Sequence, residues 1–192
     1  MKCHANDIFF NTANWDDLQA EFQCIYGFPT VQAPYNTYVA QQILDFVSDG
    51  FVNNMLKGDM DPQMFHQPNL HFRTNTTAGM ANIGQPSSLI TDVYDSTFTK
   101  YLNLYNLPIL SPPLDQLGEL MQARNNYNLS GVAASWTGGA NPVVTLTMPA
   151  NAAAPSAVVP VTGLNTGEPT YGGIVSSHIT MNAGDVVTKA AQ

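Results

Sequence analysis

Charge nearly disappears from this chain at residue 130, and that break constrains the fold more than any single motif. From Ser130 to Gln192 only Glu168, Asp185 and Lys189 are charged, whereas the residues before it hold 12 of the 14 acidic and 5 of the 6 basic side chains. The tail is rich in Ala, Val, Thr, Gly and Pro. Its apolar residues alternate with polar ones, the signature of strands with one buried face. Val132–Trp136, Val143–Met148, Ala157–Thr162, Gly173–Met181 and Val186–Lys189 read as strands. Gly138-Gly139, Pro149–Pro155, Gly163–Pro169 and Ala183-Gly184-Asp185 supply the turns between them. About 60 residues is small for an isolated sandwich, so the tail is expected to pack on a neighbour.

The part before the break has helical spacing. Asn14 can cap a helix to about Tyr26, with Trp15, Leu18, Phe22 and Ile25 on one stripe and Gly27 and Pro29 ending it. Asn36 can cap a longer helix to about Lys57, stopped by Gly58. Its buried face would be Val39, Ile43, Phe46, Val47, Phe51, Met55 and Leu56. Ser88 precedes a helix to about Tyr105, and Ser111-Pro112-Pro113 starts a fourth, since proline fits the first turn. Ile8–Phe10, Gln63–His66 and Leu107–Leu110 are short apolar runs between helices. They give the alternating rhythm of a parallel sheet or barrel. Three strands and four helices cannot close a (β/α)-barrel, which needs about 200 residues or more. The expected fold is therefore α/β plus β. Residues 1–128 would form the end of a (β/α)-barrel, and 129–192 a small β-sandwich-like domain.

Composition excludes several functions. The formal net charge is −8, and 10% of residues are charged, against about 25% in an average soluble domain. Six basic residues spread over the chain cannot neutralise the phosphates of a nucleic acid. No run approaches the roughly 20 apolar residues of a membrane span. Low charge with many amide and hydroxyl side chains is common among secreted carbohydrate-active and surface proteins. Yet Met1-Lys2 is followed by a polar stretch with no apolar leader core. That leaves a cytoplasmic chain, or a mature or truncated piece of a longer one. Cys3 and Cys24 lack metal-ligand spacing. Two partly buried free thiols are the base expectation, and a disulfide the alternative.

The most informative stretch is Gly58-Asp59-Met60-Asp61-Pro62-Gln63-Met64-Phe65-His66-Gln67-Pro68-Asn69-Leu70. An apolar run ends in a histidine and then a proline-containing loop. In α/β sheets and barrels ligands sit beyond the carboxyl ends of the strands, and a histidine there can serve as general acid or base near neutral pH. Gln67 and Asn69 can exchange hydrogen bonds with sugar hydroxyls. The plainer reading of His66, a ring satisfied by nearby backbone, fits the same residues. His66 and His71 are separated by a proline, so one helix cannot present both to a metal. Asp59 and Asp61 suit a solvated turn, Asp16-Asp17 the first turn of a helix, and His178 the inside of a strand. His4 is ambiguous. Nucleophile-elbow, zincin, P-loop and dinucleotide-binding motifs are absent.

Leu56 to Leu70 resembles a segment of the NodB-homology polysaccharide deacetylases, large secreted enzymes similar to the fungal galactosaminogalactan deacetylase and its bacterial relatives. Tyr105-Asn106-Leu107-Pro108-Ile109-Leu110-Ser111 and Asp115-Gln116-Leu117-Gly118 agree with it. So do Val161-Thr162-Gly163, Tyr171-Gly172-Gly173 and Ala183-Gly184. The resemblance implies a (β/α)-barrel followed by a β-domain, of which this chain would be the C-terminal portion. It implies metal-dependent N-deacetylation of an acetylated amino-sugar polymer outside the cell. Zinc or another divalent metal, held by an Asp-His-His set, would supply the attacking water. His66 matches the late histidine that protonates the leaving amine, with Gln67 and Asn69 beside the substrate. The metal set would lie upstream, so no metal is expected in this chain alone, nor activity. An arginine of an upstream family segment has no counterpart at Lys2-Cys3-His4. Two other classes fit the composition. One is a structural or filament subunit that self-associates. The other is a carbohydrate-binding module with Trp136 and Tyr171 stacked on sugars.

Overall fold

The structure, a computed structural model, describes residues 10–26, 38–60, 63–164 and 166–191. The chain divides into two compact units, Met1–Tyr105 and Asn106–Gln192. The division precedes the expected 128/129 boundary and places the fourth helix with the strands.

In the first unit, α1 spans Trp15–Tyr26, α2 Ala40–Leu56 and α3 Leu89–Leu104. Asn14 caps α1 as its sequence suggests: Oδ1 accepts from the Asp17 amide at 2.9 Å. Ser88 caps α3 reciprocally, its Oγ accepting from the Thr91 amide at 3.3 Å while its own amide donates to Thr91 Oγ1 at 2.8 Å. These bonds satisfy amides that a helix start otherwise leaves open. Helix α2 starts later than expected. Val39 is its N-cap, and Asn36 lies outside the described residues. The Ala40 amide donates to Gln19 Oε1 of α1 at 2.7 Å, so a long-range bond replaces the local cap. Trp15, Leu18 and Phe22 of α1 meet Ile43, Leu44 and Val47 of α2 and Leu89 and Val93 of α3 in one buried cluster. Val39, Phe46 and Leu56, expected on that face, are exposed.

Two of the three expected barrel-like strands do not form. Gln63–His66 and Leu107–Leu110 are both irregular. Pro108 has no amide to give a ladder, and Met64 and Leu110 face solvent. Without a neighbouring strand the backbone of such a run gains nothing by extending. Ile8 and Phe9 lie outside the described residues. Instead, Arg73–Thr74 (β1) and Pro86–Ser87 (β2) pair antiparallel across the loop that enters α3.

In the second unit, α4 spans Leu114–Ser130 and ends on Gly131 at φ +61°, a left-handed position suited to glycine. The five strands read from the alternation are present: β3 Ala133–Thr137, β4 Val143–Thr147, β5 Ser156–Thr162, β7 Ile174–Asn182 and β8 Val186–Ala190. A two-residue strand, β6 Thr170–Tyr171, adds to them. They form two three-stranded antiparallel sheets, ordered β3-β4-β8 and β5-β7-β6. Leu146 and Met148, at and just after the end of β4, share one core with Ala157 and Val159 of β5 and Met181 of β7. Helix α4 packs along β5, but Leu114, Leu120 and Met121 remain exposed.

Candidate functional site

His66 opens a short 3-10 turn, Gln67–Leu70, with Pro68 in its first residues. Its backbone is extended at φ −103° and ψ 156°, which starts the turn as a helix N-cap does. Asn69 closes it. The Asn69 amide donates to the His66 carbonyl at 3.0 Å, and the His66 amide donates to Asn69 Oδ1 at 2.7 Å. Asn69 Nδ2 donates to the Thr12 carbonyl at 2.9 Å, 57 residues away in sequence. The side chain is 0% exposed, so its amide serves the chain and not the surface. Gln67 is exposed and His66 half-buried. The His66 ring meets Phe10 edge to face, centroids 5.3 Å apart at 72°. Just before it, Phe65 packs edge-on against Phe51 of α2 and Tyr94 of α3. The turn is thus fastened by a buried amide on one side and an aromatic anchor on the other. Of the three expected site residues, Gln67 is exposed, His66 is half-buried against Phe10, and Asn69 is turned inward.

A second polar centre lies around Asp92, which no sequence pattern singles out. Asp92, on the first turns of α3, is buried. Its Oδ2 accepts from the Trp15 indole Nε1 at 2.6 Å and from Ser87 Oγ at 3.1 Å. Its Oδ1 accepts from Asn82 Nδ2 at 2.7 Å. Asn75 Nδ2 donates to Asn82 Oδ1 at 2.6 Å, and Asn75 Oδ1 accepts from the Thr77 amide at 3.0 Å. This network pins the 73–88 loop onto α1 and α3. Burial raises the Asp92 carboxyl above the usual aspartate range. The bonds from Trp15, Ser87 and Asn82 oppose that, and the charge of Asp95 adds to it.

A carboxyl whose folded pKa is raised binds its proton more readily in the folded chain than in the unfolded one. Its contribution is full below the unfolded pKa and is lost as pH rises through the folded one. The stability advantage of the wild type over Asp92→Asn is therefore expected to be largest at acid pH and to shrink towards neutrality. Urea midpoints of both proteins at several pH values test this. An advantage that grows with pH would mean that the three bonds outweigh burial.

Beside this centre a groove of about 320 Å3 runs between α2 and α3, with Gln41, Asn82, Asp95 and Thr99 among its walls. Lys100 at its edge is already engaged. It donates to the Asp45 carbonyl at 3.1 Å, to Ser48 Oγ at 2.7 Å and to Asp49 Oδ1 at 2.7 Å.

Among the described residues no three His, Cys, Asp or Glu side chains converge as metal ligands would. No described helix is long and apolar enough to cross a membrane. Cys24 is disulfide-bonded, which corrects the expectation of free thiols. The sequence holds one other cysteine, Cys3, outside the described residues. In the second unit, Trp136 is 68% exposed on the edge strand β3. Its indole lies over Gly138, where a Cβ would come within 2.8 Å of the ring. His178 sits mid-strand in β7, opposite Pro160 of β5.

Residues 1–133, which include the whole His66 turn, match the family model of the Agd3 deacetylase domain. The chain belongs to the Agd3 deacetylase domain family. A solved structure of Agd3, described as a novel carbohydrate deacetylase, has the same fold. The TM-score is 0.68 at 18% identity, over 96% of this chain and 28% of that one. The chain thus spans little more than a quarter of the Agd3 chain. No curated protein matches it. The Agd3 family match covers the first unit and runs on through α4 into the start of β3.

Proposed function

We propose that this chain is part of a carbohydrate N-deacetylase that acts on an acetylated amino-sugar polymer, with His66 as its proton donor. The observation that carries the reading is the deacetylase-domain match over residues 1–133, which includes the turn at His66 fastened by Asn69. Cleaving an amide requires a proton for the departing nitrogen, because an amine anion is too poor a leaving group. Once water, its proton taken up by a base, has added to the acetyl carbon, His66 as an imidazolium would deliver the nitrogen's proton as the C–N bond breaks, leaving acetic acid, a neutral amine and a neutral imidazole. Gln67, exposed beside it, would bond to sugar hydroxyls. Among the described residues no set of side chains fits a metal. Zinc or another divalent ion would belong to a part of the enzyme outside these residues. The second unit, with its two three-stranded antiparallel sheets, would be a β-sandwich-like domain of that enzyme. The disulfide at Cys24 supports folding in an oxidising compartment and hence action outside the cell.

The chain spans 28% of the matched Agd3 chain, so on its own it is expected to release no acetate from acetylated amino-sugar oligomers. Acetate release by the purified 192-residue chain, abolished by a chelator, would overturn that part of the reading.

A further inference from the structure

Asn69 has the chemistry of a sugar-binding side chain, yet its position gives it another task. It is fully buried. Its Oδ1 accepts from the His66 amide at 2.7 Å, and its Nδ2 donates to the Thr12 carbonyl at 2.9 Å. Phe10, two residues before Thr12, carries the ring that meets His66 edge-on at 5.3 Å. One side chain therefore ties together the backbone of His66 and the segment whose aromatic ring flanks the His66 imidazole. We infer that Asn69 is a positioning residue, which sets where the His66 imidazole points by holding its backbone and the Thr12 segment in register. The inference rests on the reading of His66 as proton donor, and it deepens that reading. A side chain of the right length is required at both ends. Asn satisfies the acceptor and donor roles at once, and in a buried place an unmatched amide or carbonyl is costly.

Ser88 and Thr91 show what a partial replacement can do. There a threonine hydroxyl three residues after the cap accepts the cap amide at 2.8 Å. Asn69→Thr should do the same for His66 while losing the bond to Thr12. Asn69→Val has nearly the shape of threonine and no acceptor. A merely space-filling role would make the two variants alike. The test is the imidazole spectrum of the whole chain labelled at histidine, with His178 in the second unit as internal reference.

The expected result has three parts. Asn69→Val moves the His66 ring signals away from the wild-type position, towards those of exposed His71. Asn69→Thr leaves them close to wild type, and His178 is unmoved in both. Identical His66 signals in the two variants would overturn the inference. The Trp15 indole N–H signal, dependent on Asp92, reports whether the first unit is folded. If Asn69→Val loses that signal, the Asn69→Ser and Asn69→Ala pair asks the same question with smaller side chains. In a deacetylating form that contains these residues, Asn69→Val should lower kcat by up to about 10²-fold with KM nearly constant, as misplacement of a reacting group does. Asn69→Thr should restore most of it. Should the spectra behave as expected while His66→Ala keeps full activity, the placement of His66 by Asn69 stands and the proton-donor reading falls.

Discussion

Replacing Phe22 by alanine is expected to cost the first unit about 3–5 kcal/mol, the range for truncating a fully buried aromatic. Phe22 is 1% exposed and sits where α1 meets α2. Its ring stacks on Tyr38 with centroids 6.2 Å apart. It also contacts Tyr26 at 4.8 Å and meets Phe46 edge-on at 6.0 Å. The substitution removes buried apolar area, several aromatic contacts and one of three residues by which α1 enters the core. A domain's whole stability is about 5–15 kcal/mol, so this one change would consume a large part of it. Phe46, 47% exposed on the edge of the same group, serves as the control whose truncation should cost much less. Because the chain has two units, the unfolding signal must belong to the first. Trp15 fluorescence in a Trp136→Phe background provides it. Equal urea midpoints for Phe22→Ala and Phe46→Ala would contradict the described core.

Local chemistry made most of the secondary structure legible. Asn14 and Ser88 act as the caps their residue types suggest, because a side-chain oxygen two or three residues before an open amide needs no tertiary help. The alternation of β4, β5, β7 and β8 is equally local, and its inward residues do form a core. Non-local features were the ones hidden. Gln63–His66 and Leu107–Leu110 have strand composition, but a strand also needs a partner. Asp92 carried no signal of its own, because its partner Trp15 lies 77 residues away and only the fold brings the two together. Asn69 offered the same amide to a sugar or to the chain, and only burial chose between them. Cys24 offered a thiol or a disulfide, decided by where the fold placed it. His66 was found by its position after an apolar run. The strand that would make that position meaningful does not form.

The proposed function depends on His66 donating the proton that amide cleavage requires. The most direct measurement is the rate of acetate release from an acetylated amino-sugar oligomer by a deacetylating form of the protein that includes these residues, wild type against His66→Ala. General acid catalysis by a placed side chain contributes about 10²–10⁴-fold. The expected result is therefore a fall of that size in kcat, with KM little changed, because the imidazole acts as the C–N bond breaks and not in holding the sugar. Acetate release by His66→Ala at the wild-type rate would contradict the account.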